Sequence, residues 1–498
     1  MKYNYPVCYY KNRYSSDEPT GFDAFNAEID FEMSGGSRKK SDFMSESKSD
    51  IKPDSDSISE SAYKSESAYR SESANKSESA YNREITAQNE APVLEPTLLQ
   101  EPAFDPEFKP EPIDAVKRGA PDQEADDEDD ETPTPEIRLL EPILFPAKSS
   151  LRYEEIHDYI RRSLKPINVW LEQLIAAGKA LPTPFRQTDS DPIVEATADE
   201  LQNCPNIWFL GDIHGDFLAL QSALVSIYQI TQDQNLPKPV FVLLGDVFDR
   251  LKYSFESLFS ILDLMYHGEQ VVWLAGNHDQ IEYDADSESP FTSCTLPSEF
   301  CQWLNSPPEN DPWLRDMDAI RTLVKRFAQL VPRFPVAAYF APGLLAAHGG
   351  VPHTDVQPMI KTWEDFKNLD AQQDFIWIRL SKLKKKIPNR TTRSCQMGVN
   401  DFNHFMKQMA NMGRPVGRFL RGHDHFPERF VQMPKYQPVT VHTINTVSCT
   451  SDGAVGGVDF YTPPAIVAYN ASENTLQPYL IQIEPETVDR WHKPEHLQ

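Results

Sequence analysis

Five short motifs gather the residues of this chain best suited to chemistry: "GDIHGD" (211–216), "GDVFDR" (245–250), "GNHD" (276–279), "HGG" (348–350) and "GHDH" (422–425). Between them they supply Asp212, His214, Asp246, Asn277, His348, His423 and His425. All are oxygen or imidazole donors, and no thiolate joins them. Such a mixture suits borderline first-row ions such as Mn, Fe or Zn, whereas all-oxygen sets suit Mg and Ca. One Gly-Asp pair by itself reads as a polar turn, since Gly tolerates positive φ and Asp bonds to its own backbone. A lone buried histidine is ordinarily a hydrogen-bonded core residue, so His157, His267, His353, His404 and His442 receive no role. The repetition of the pattern is what favours a metal centre.

The positioning elements are visible in the same stretches. Each motif closes an apolar run: "NIWFLGD" (206–212), "PVFVLLGD" (239–246), "QVVWLAGNHD" (270–279), "GLLAAHGG" (343–350) and "GRFLRGHDHF" (417–426). Amphipathic stretches such as "FLALQSALVSIYQI" and "SFESLFSILDLMY" separate the first three. Strand, loop, helix, strand predicts an α/β fold, in which ligand sites lie outside the carboxyl ends of the strands. Helical spacing in "YEEIHDYIRRSL" and "INVWLEQLIAAGKAL" predicts an α-helical start to the folded part near Leu151.

In this order the motifs resemble those of the calcineurin-like metallophosphoesterases. They are most similar to the protein Ser/Thr phosphatase branch, whose pattern runs GDxHG, GDxxDRG, GNHE, HGG and a later His. The resemblance covers residues 195 to 465 and implies a two-sheet β-sandwich flanked by helices. It implies two divalent metal ions (Mn, Fe or Zn), with Asp212 and His214 on the first, Asp246 bridging both, and Asn277, His348 and His423 completing the second. His278 matches the general acid, Asp249 the carboxylate that orients it, and Arg250 a phosphate clamp. For the second clamp "PNRTTRSCQMG" offers Arg390 and Arg393, and Arg393 is preferred on its distance to Gly398 and His423.

The sequence departs from the branch in three places. Leu251 stands where glycine follows the second motif. "GNHD" replaces GNHE, as in bacterial members that include diadenosine tetraphosphate hydrolases. "GHDH" adds His425, either a further ligand of the first metal or a residue just behind the ligands. The leading expectation is a metal-dependent phosphomonoesterase that dephosphorylates phosphoproteins by attack of metal-bound hydroxide. The alternatives are a hydrolase of a small phosphorylated molecule such as diadenosine tetraphosphate, and a catalytically idle scaffold.

The chain has 498 residues and a formal net charge of -27, which argues against nucleic acid as a partner. Much of the acid precedes residue 150, as in the run Asp126–Glu131. Residues 1–150 combine hexads ("SESAYK SESAYR SESANK SESAYN", 59–82) with a Pro- and acid-rich linker, a composition expected to be disordered and to bind partner proteins. Within it "IRLLEPILFP" (137–146) is expected to dock on the folded domain. Residues 151–490 form the expected catalytic domain, interrupted by a 280–312 insertion read as a lid or specificity element, with a 491–498 tail. The basic run "RLSKLKKKIPNR" (379–390) reads as a surface for phosphorylated or acidic substrates, or as a solvated helix face. Six scattered cysteines, no apolar leader and no membrane-length apolar run predict a soluble cytoplasmic protein. Bacterial-type motifs beside a repeat tail extend this to delivery into a host cytosol as a bacterial effector.

Overall fold

A computed structural model describes residues 143–146, 153–186, 188–388, 394–450 and 460–492. The expectations for the hexads, the linker before 143, Arg390 and Arg393 lie outside these residues. From the N-terminal side, β1 (Ile143–Pro146) precedes α1 (Tyr153–Ala176), β2 (Ile193–Ala196) and α2 (Ala198–Asn203). Next come β3 (Ile207–Leu210), α3 (Phe217–Asp233), β4 (Val240–Leu243), α4 (Ser254–Tyr266) and β5 (Gln270–Trp273). A hairpin of β6 (Ile281–Tyr283) and β7 (Phe291–Ser293) leads to α5 (Glu299–Asn305) and α6 (Met317–Leu330). Then follow β8 (Ala337–Phe340), β9 (Leu344–Ala347), α7 (Leu369–Trp377), β10 (Arg379–Leu380), β11 (Ile387–Pro388), β12 (Cys395–Met397) and α8 (Val399–Asn411). The last third carries β13 (Arg418–Arg421), β14 (Phe430–Met433), β15 (Thr440–Ile444), β16 (Cys449–Thr450) and β17 (Phe460–Tyr461). It ends in β18 (Ala465–Asn470), β19 (Thr475–Gln482) and α9 (Pro485–His492).

Two six-stranded sheets, ordered β1-β19-β18-β3-β4-β5 and β14-β15-β13-β9-β8-β2, form the expected sandwich. Side chains alternate along a strand, and the sequence uses both faces. Phe209, Val242, Val272 and Val467 of one sheet share a buried cluster with Ala338, Ala346 and Leu420 of the other. Their neighbours Trp208, Phe241 and Trp273 point the opposite way, into the cluster formed with the flanking helices. Burying both faces explains why these strands read as unbroken apolar runs.

Strands β3, β4 and β5 are parallel, with Leu210 beside Leu243 and Leu243 beside Trp273. Strands β9 and β13 are parallel as well, with Ala347 beside Arg421. A parallel bridge between Asp212 and Asn445 links the two sheets just past β3. The five motif-bearing loops therefore leave strands that are aligned within their sheets.

The α-helical start is as expected, both stretches belonging to one helix, α1, which runs through Pro166. Two readings change. The backbone of β1 pairs in parallel with β19, so residues 143–146 dock on the folded part as expected, and sheet structure begins before residue 151. The basic run holds β10 and β11, which flank β12 in a three-stranded sheet, so it is no helix face.

His442 on β15 is buried, stacked on Phe430 with centroids 5.0 Å apart. Burial, with Arg418 adding to it, pushes its pKa down from 6.5 to about 3. A folded pKa below the unfolded one contributes stability above pH 6.5 that is lost as the pH falls toward 3. Equilibrium unfolding of wild type and His442→Phe between pH 6.5 and 4.5 is expected to show a shallower loss in the variant, by up to about 1.4 kcal/mol per pH unit. Parallel curves would refute this account.

Candidate metal centre

Past β3 the chain turns through Gly211, and Asp212 and His214 follow. The amides of Ile213 and His214 both donate to the Asp246 carbonyl, at 3.0 and 2.9 Å, which ties the first two motifs together. His214 Nδ1 lies 2.9 Å from the Phe248 carbonyl. A carbonyl only accepts, so Nδ1 carries the proton and Nε2 is left as a bare lone pair. That Nε2 faces His425 Nε2 at 3.2 Å, Asp246 Oδ2 at 3.6 Å and Asp212 Oδ2 at 3.8 Å. His425 Nε2 in turn lies 3.0 Å from Asp212 Oδ2.

A second set mirrors the first. His348 Nδ1 donates to the Leu244 carbonyl at 2.9 Å, again leaving Nε2 bare. It faces Asn277 Oδ1 at 2.9 Å, His423 Nδ1 at 3.1 Å and Asp246 Oδ2 at 3.3 Å. Asp246 Oδ2 is thus common to both sets, while its Oδ1 accepts the His278 amide at 2.8 Å. All seven donors expected from the sequence come together. The triads Asp212–His214–His425 and Asp246–His348–His423 each place their ligand atoms within 4.8 Å of one another.

These donors fit metal ions chemically. Facing lone pairs repel unless a cation lies between them, and the ligand forms of histidine are neutral. Burial, reinforced by Arg250, holds His214 well below its ordinary pKa. Burial, reinforced by Arg379, does the same for His423. Burial opposes ionisation of Asp246, but His348, His278 and His214 outweigh it and hold the carboxylate well below its usual range. His348 moves the other way: Asp246 and Asp212 overcome its burial and draw its pKa up. The space beside Asp246 favours positive charge.

Holding donors this way strains the backbone. His214, Asp246, Asp249, Arg250 and His423 all have positive φ, between 48 and 70°. Each such residue costs about 1–3 kcal/mol unless its surroundings enforce it. Two glycines make the close approach feasible. A Cβ at Gly422 would sit 2.1 Å from Asp212 Oδ1, and one at Gly276 would sit 2.2 Å from the Asp246 nitrogen. Leu251 does not share the positive φ of Asp249 and Arg250, so the loop needs no glycine there.

His278 stands beside His214 and Asp246, its ring centroid 4.9 Å from that of His214. Its Nδ1 lies 2.7 Å from Asp249 Oδ2, and Asp249 Oδ1 accepts the Phe300 amide at 2.9 Å. Burial disfavours its cation, yet Asp246 and Asp249 prevail and raise its pKa. Arg250 is exposed, with Nη1 3.3 Å from His425 Nδ1. The insertion is no structureless loop. It folds as the β6–β7 hairpin and α5, and Thr295, Glu299 and Phe300 bond directly to Asn277, Arg250 and Asp249.

Sequence reasoning missed three supports. Asp279 is buried, and accepts the amides of Asp246, Val247 and Gly276 at 3.0, 2.8 and 3.0 Å. Its own burial and the nearby Asp246 raise its pKa to about 6. Asp424 pairs with both Arg379 and Arg421, and Arg379 also donates to the His423 carbonyl at 3.2 Å. Asp216 caps α3 by accepting the Ala219 amide at 2.9 Å. It also accepts from Ser448 N and Oγ, at 2.7 and 2.6 Å, and lies 3.1 Å from His492 Nε2 on α9. An Asp before an amphipathic helix is a capping signal in the sequence. Its partners, more than 200 positions away, gave none.

Residues 205–427 match the family model of the calcineurin-like phosphoesterases. This segment of the chain belongs to the calcineurin-like metallophosphoesterase superfamily. No curated protein matches the sequence. Among solved structures, a protein serine/threonine phosphatase from Saccharomyces cerevisiae, described as similar to human phosphatase PP5, is 16% identical with a TM-score of 0.42. That match covers 66% of this chain and 90% of the yeast chain. A hypothetical protein from Pyrococcus horikoshii is 11% identical with a TM-score of 0.32, over 58% of this chain and 96% of its own. A cold-active protein tyrosine phosphatase is 12% identical with a TM-score of 0.32, over 60% and 86%. No helix among the described residues is long and apolar enough to cross a membrane.

Removing the Asp216 carboxylate leaves Ser448, Ala219 and His492 facing a void. Asp216→Ala is expected to lower the free energy of unfolding by about 3 kcal/mol, as for a broken buried ion pair. Denaturant titration measures it, and a change within 0.5 kcal/mol, the usual range for an ordinary surface substitution, would contradict the assigned bonds.

Proposed function

We propose that this chain is a two-metal phosphomonoesterase acting on phosphoproteins. The observation that carries the proposal is the pair of bare histidine Nε2 atoms, on His214 and His348, both turned toward Asp246 Oδ2. Asp212, His214 and His425 would hold one ion, Asn277, His348 and His423 the other, and Asp246 both. Divalent ions in such a site polarise a phosphate and lower the pKa of water until it is a usable nucleophile. The chain's own residues do the rest. Arg250, with Arg393 as its candidate partner, holds phosphate oxygens in the planar geometry that suits a guanidinium. Asp249 fixes the His278 tautomer and favours its protonated form, so the ring has a proton to give the leaving oxygen.

A protein substrate is favoured by exposed apolar and basic residues of the folded part. Leu296, 83% exposed, directly follows Thr295, which bonds to Asn277. Lys382, Lys384 and Lys385 are exposed next to Leu383 in the β10–β11 turn. Asp279 is fully buried beneath Asp246, so the "GNHD" ending that pointed to dinucleoside polyphosphates does not face a ligand. The metal is Mn, Fe or Zn, and the site of action proposed is a cytosol. Delivery to a host cytosol rests on the bacterial-type motifs and the repeat tail, and a translocation-reporter fusion that stays outside the host cell would exclude it.

The test compares wild type and Asp246→Asn on p-nitrophenyl phosphate with Mn²⁺. The variant is expected to lose at least 100-fold in kcat/KM, and a chelator should abolish wild-type turnover. Equal rates would sink the two-metal enzyme reading. A panel of phosphopeptides and dinucleoside polyphosphates then separates the substrate classes, with faster turnover expected for phosphopeptides. His278→Asn should lose about 100-fold or more on phosphoserine peptides and far less on p-nitrophenyl phosphate, whose leaving group needs no proton. Equal losses on both substrates would remove His278 from the role of acid.

A further inference from the structure

The 280–312 insertion reaches the centre through one buried hydroxyl. Thr295 follows β7, and its amide donates to Ser293 Oγ at 3.2 Å, which fixes where the side chain stands. Its Oγ1 donates to the Asn277 main-chain carbonyl at 2.7 Å. A threonine hydroxyl has one proton, and this bond uses it. Toward anything else Oγ1 can only accept, and what it meets is Asn277 Nδ2 at 3.4 Å.

This has a consequence for the asparagine. The two ends of a side-chain amide have nearly the same shape but opposite polarity, so a neighbour's chemistry decides which end points where. With Nδ2 turned to the threonine, Oδ1 is the end 2.9 Å from His348 Nε2 and aimed at the second donor set. Reversed, the amide would direct two N–H dipoles at a cation and an oxygen lone pair at an oxygen lone pair. We propose that Thr295 is a positioning residue that sets Asn277 in the orientation able to bind a metal ion, so that the insertion governs occupancy of the second site. The inference rests on the two-metal reading of the centre.

The same arrangement accounts for the path of the insertion. The segment that supplies Thr295 also supplies Phe300, whose amide holds Asp249, and Glu299, which accepts the Arg250 amide at 3.3 Å. Asn277, Asp249 and Arg250 belong to two different motifs on neighbouring strands, and one continuous stretch, 295–300, sets all three.

The experiment is calorimetric titration of MnCl₂ into the metal-stripped full chain, for wild type, Thr295→Val, Thr295→Ser and Asn277→Asp with and without Thr295→Val. Valine keeps the shape and removes the hydroxyl. It is expected to weaken one of two Mn²⁺ sites by about 10–100-fold and leave the other unchanged, the usual effect of losing a group that orients a ligand. Serine should bind both ions as wild type does. With Asp at 277 both oxygens are equivalent, and Thr295→Val should then have no effect on binding. Two full-strength sites in Thr295→Val, or a serine chain that loses an ion as valine does, would overturn the assignment while leaving the two-metal centre intact. Absence of Mn²⁺ binding by wild type would overturn both. If the valine chain does not fold, Thr295→Ala carries the same comparison.

Discussion

The centre depends on keeping one buried carboxylate ionised in a conformation the backbone resists. Asp246 is almost wholly inaccessible and has φ of 53°. An isolated carboxylate in such a place would take up a proton or move. It stays in place because its amide is held by Asp279, its carbonyl by Ile213 and His214, and one side-chain oxygen by the His278 amide, and it stays ionised because His348, His278 and His214 outweigh its burial. These partners come from both sheets. Both donor sets inherit their position from it.

The other supports follow from that requirement. A carboxylate bonded this closely needs neighbouring main chain without side chains, which Gly276 provides. It needs imidazoles whose far nitrogens are anchored, and the Phe248 and Leu244 carbonyls anchor those of His214 and His348. Both carbonyls belong to the loop after β4, the segment that carries Asp246. One loop therefore presents the shared oxygen and fixes the rotation of the rings on either side. This concentrates the strain in a stretch whose flanks are buried on both faces and hydrogen-bonded to β3 and β5, where distortion is hardest to relax.

Much of this was legible in the sequence, because strands buried on both faces must be unbroken apolar runs, and polar residues packed at their ends have no structural reason to recur. That logic located Asp212, His214, Asp246, Asn277, His348, His423 and His425 without any knowledge of distance. It failed where the meaning of a residue depends on a partner far along the chain. Asp216 read as a turn residue because Ser448 and His492 are invisible from its surroundings. Asp279 read as a family marker, while its work is to bond the turn beneath Asp246. Thr295 lay in a stretch with no motif. Local composition specifies which chemistry a residue offers, but only the fold decides whether its capacity is already spent.

Charge is arranged by depth in a way that resolves an apparent contradiction. A chain with net charge -27 should repel a phosphate ester. The donors of the centre, apart from the half-buried His425, are buried, whereas Arg250 is exposed and the side chain of Arg379 is 29% accessible. Both cations act on the imidazoles beneath them, lowering His214 and His423 toward the neutral forms that bind metal. An anion drawn to Arg250 would thus meet positive charge first and the carboxylates only after cations have neutralised them. Asp424 is the exception that fits: its carboxylate lies close to the centre but is held by Arg379 and Arg421, so it adds no uncompensated negative charge. At screening lengths of about 8 Å, the local order of charges, not their total, decides what the centre attracts.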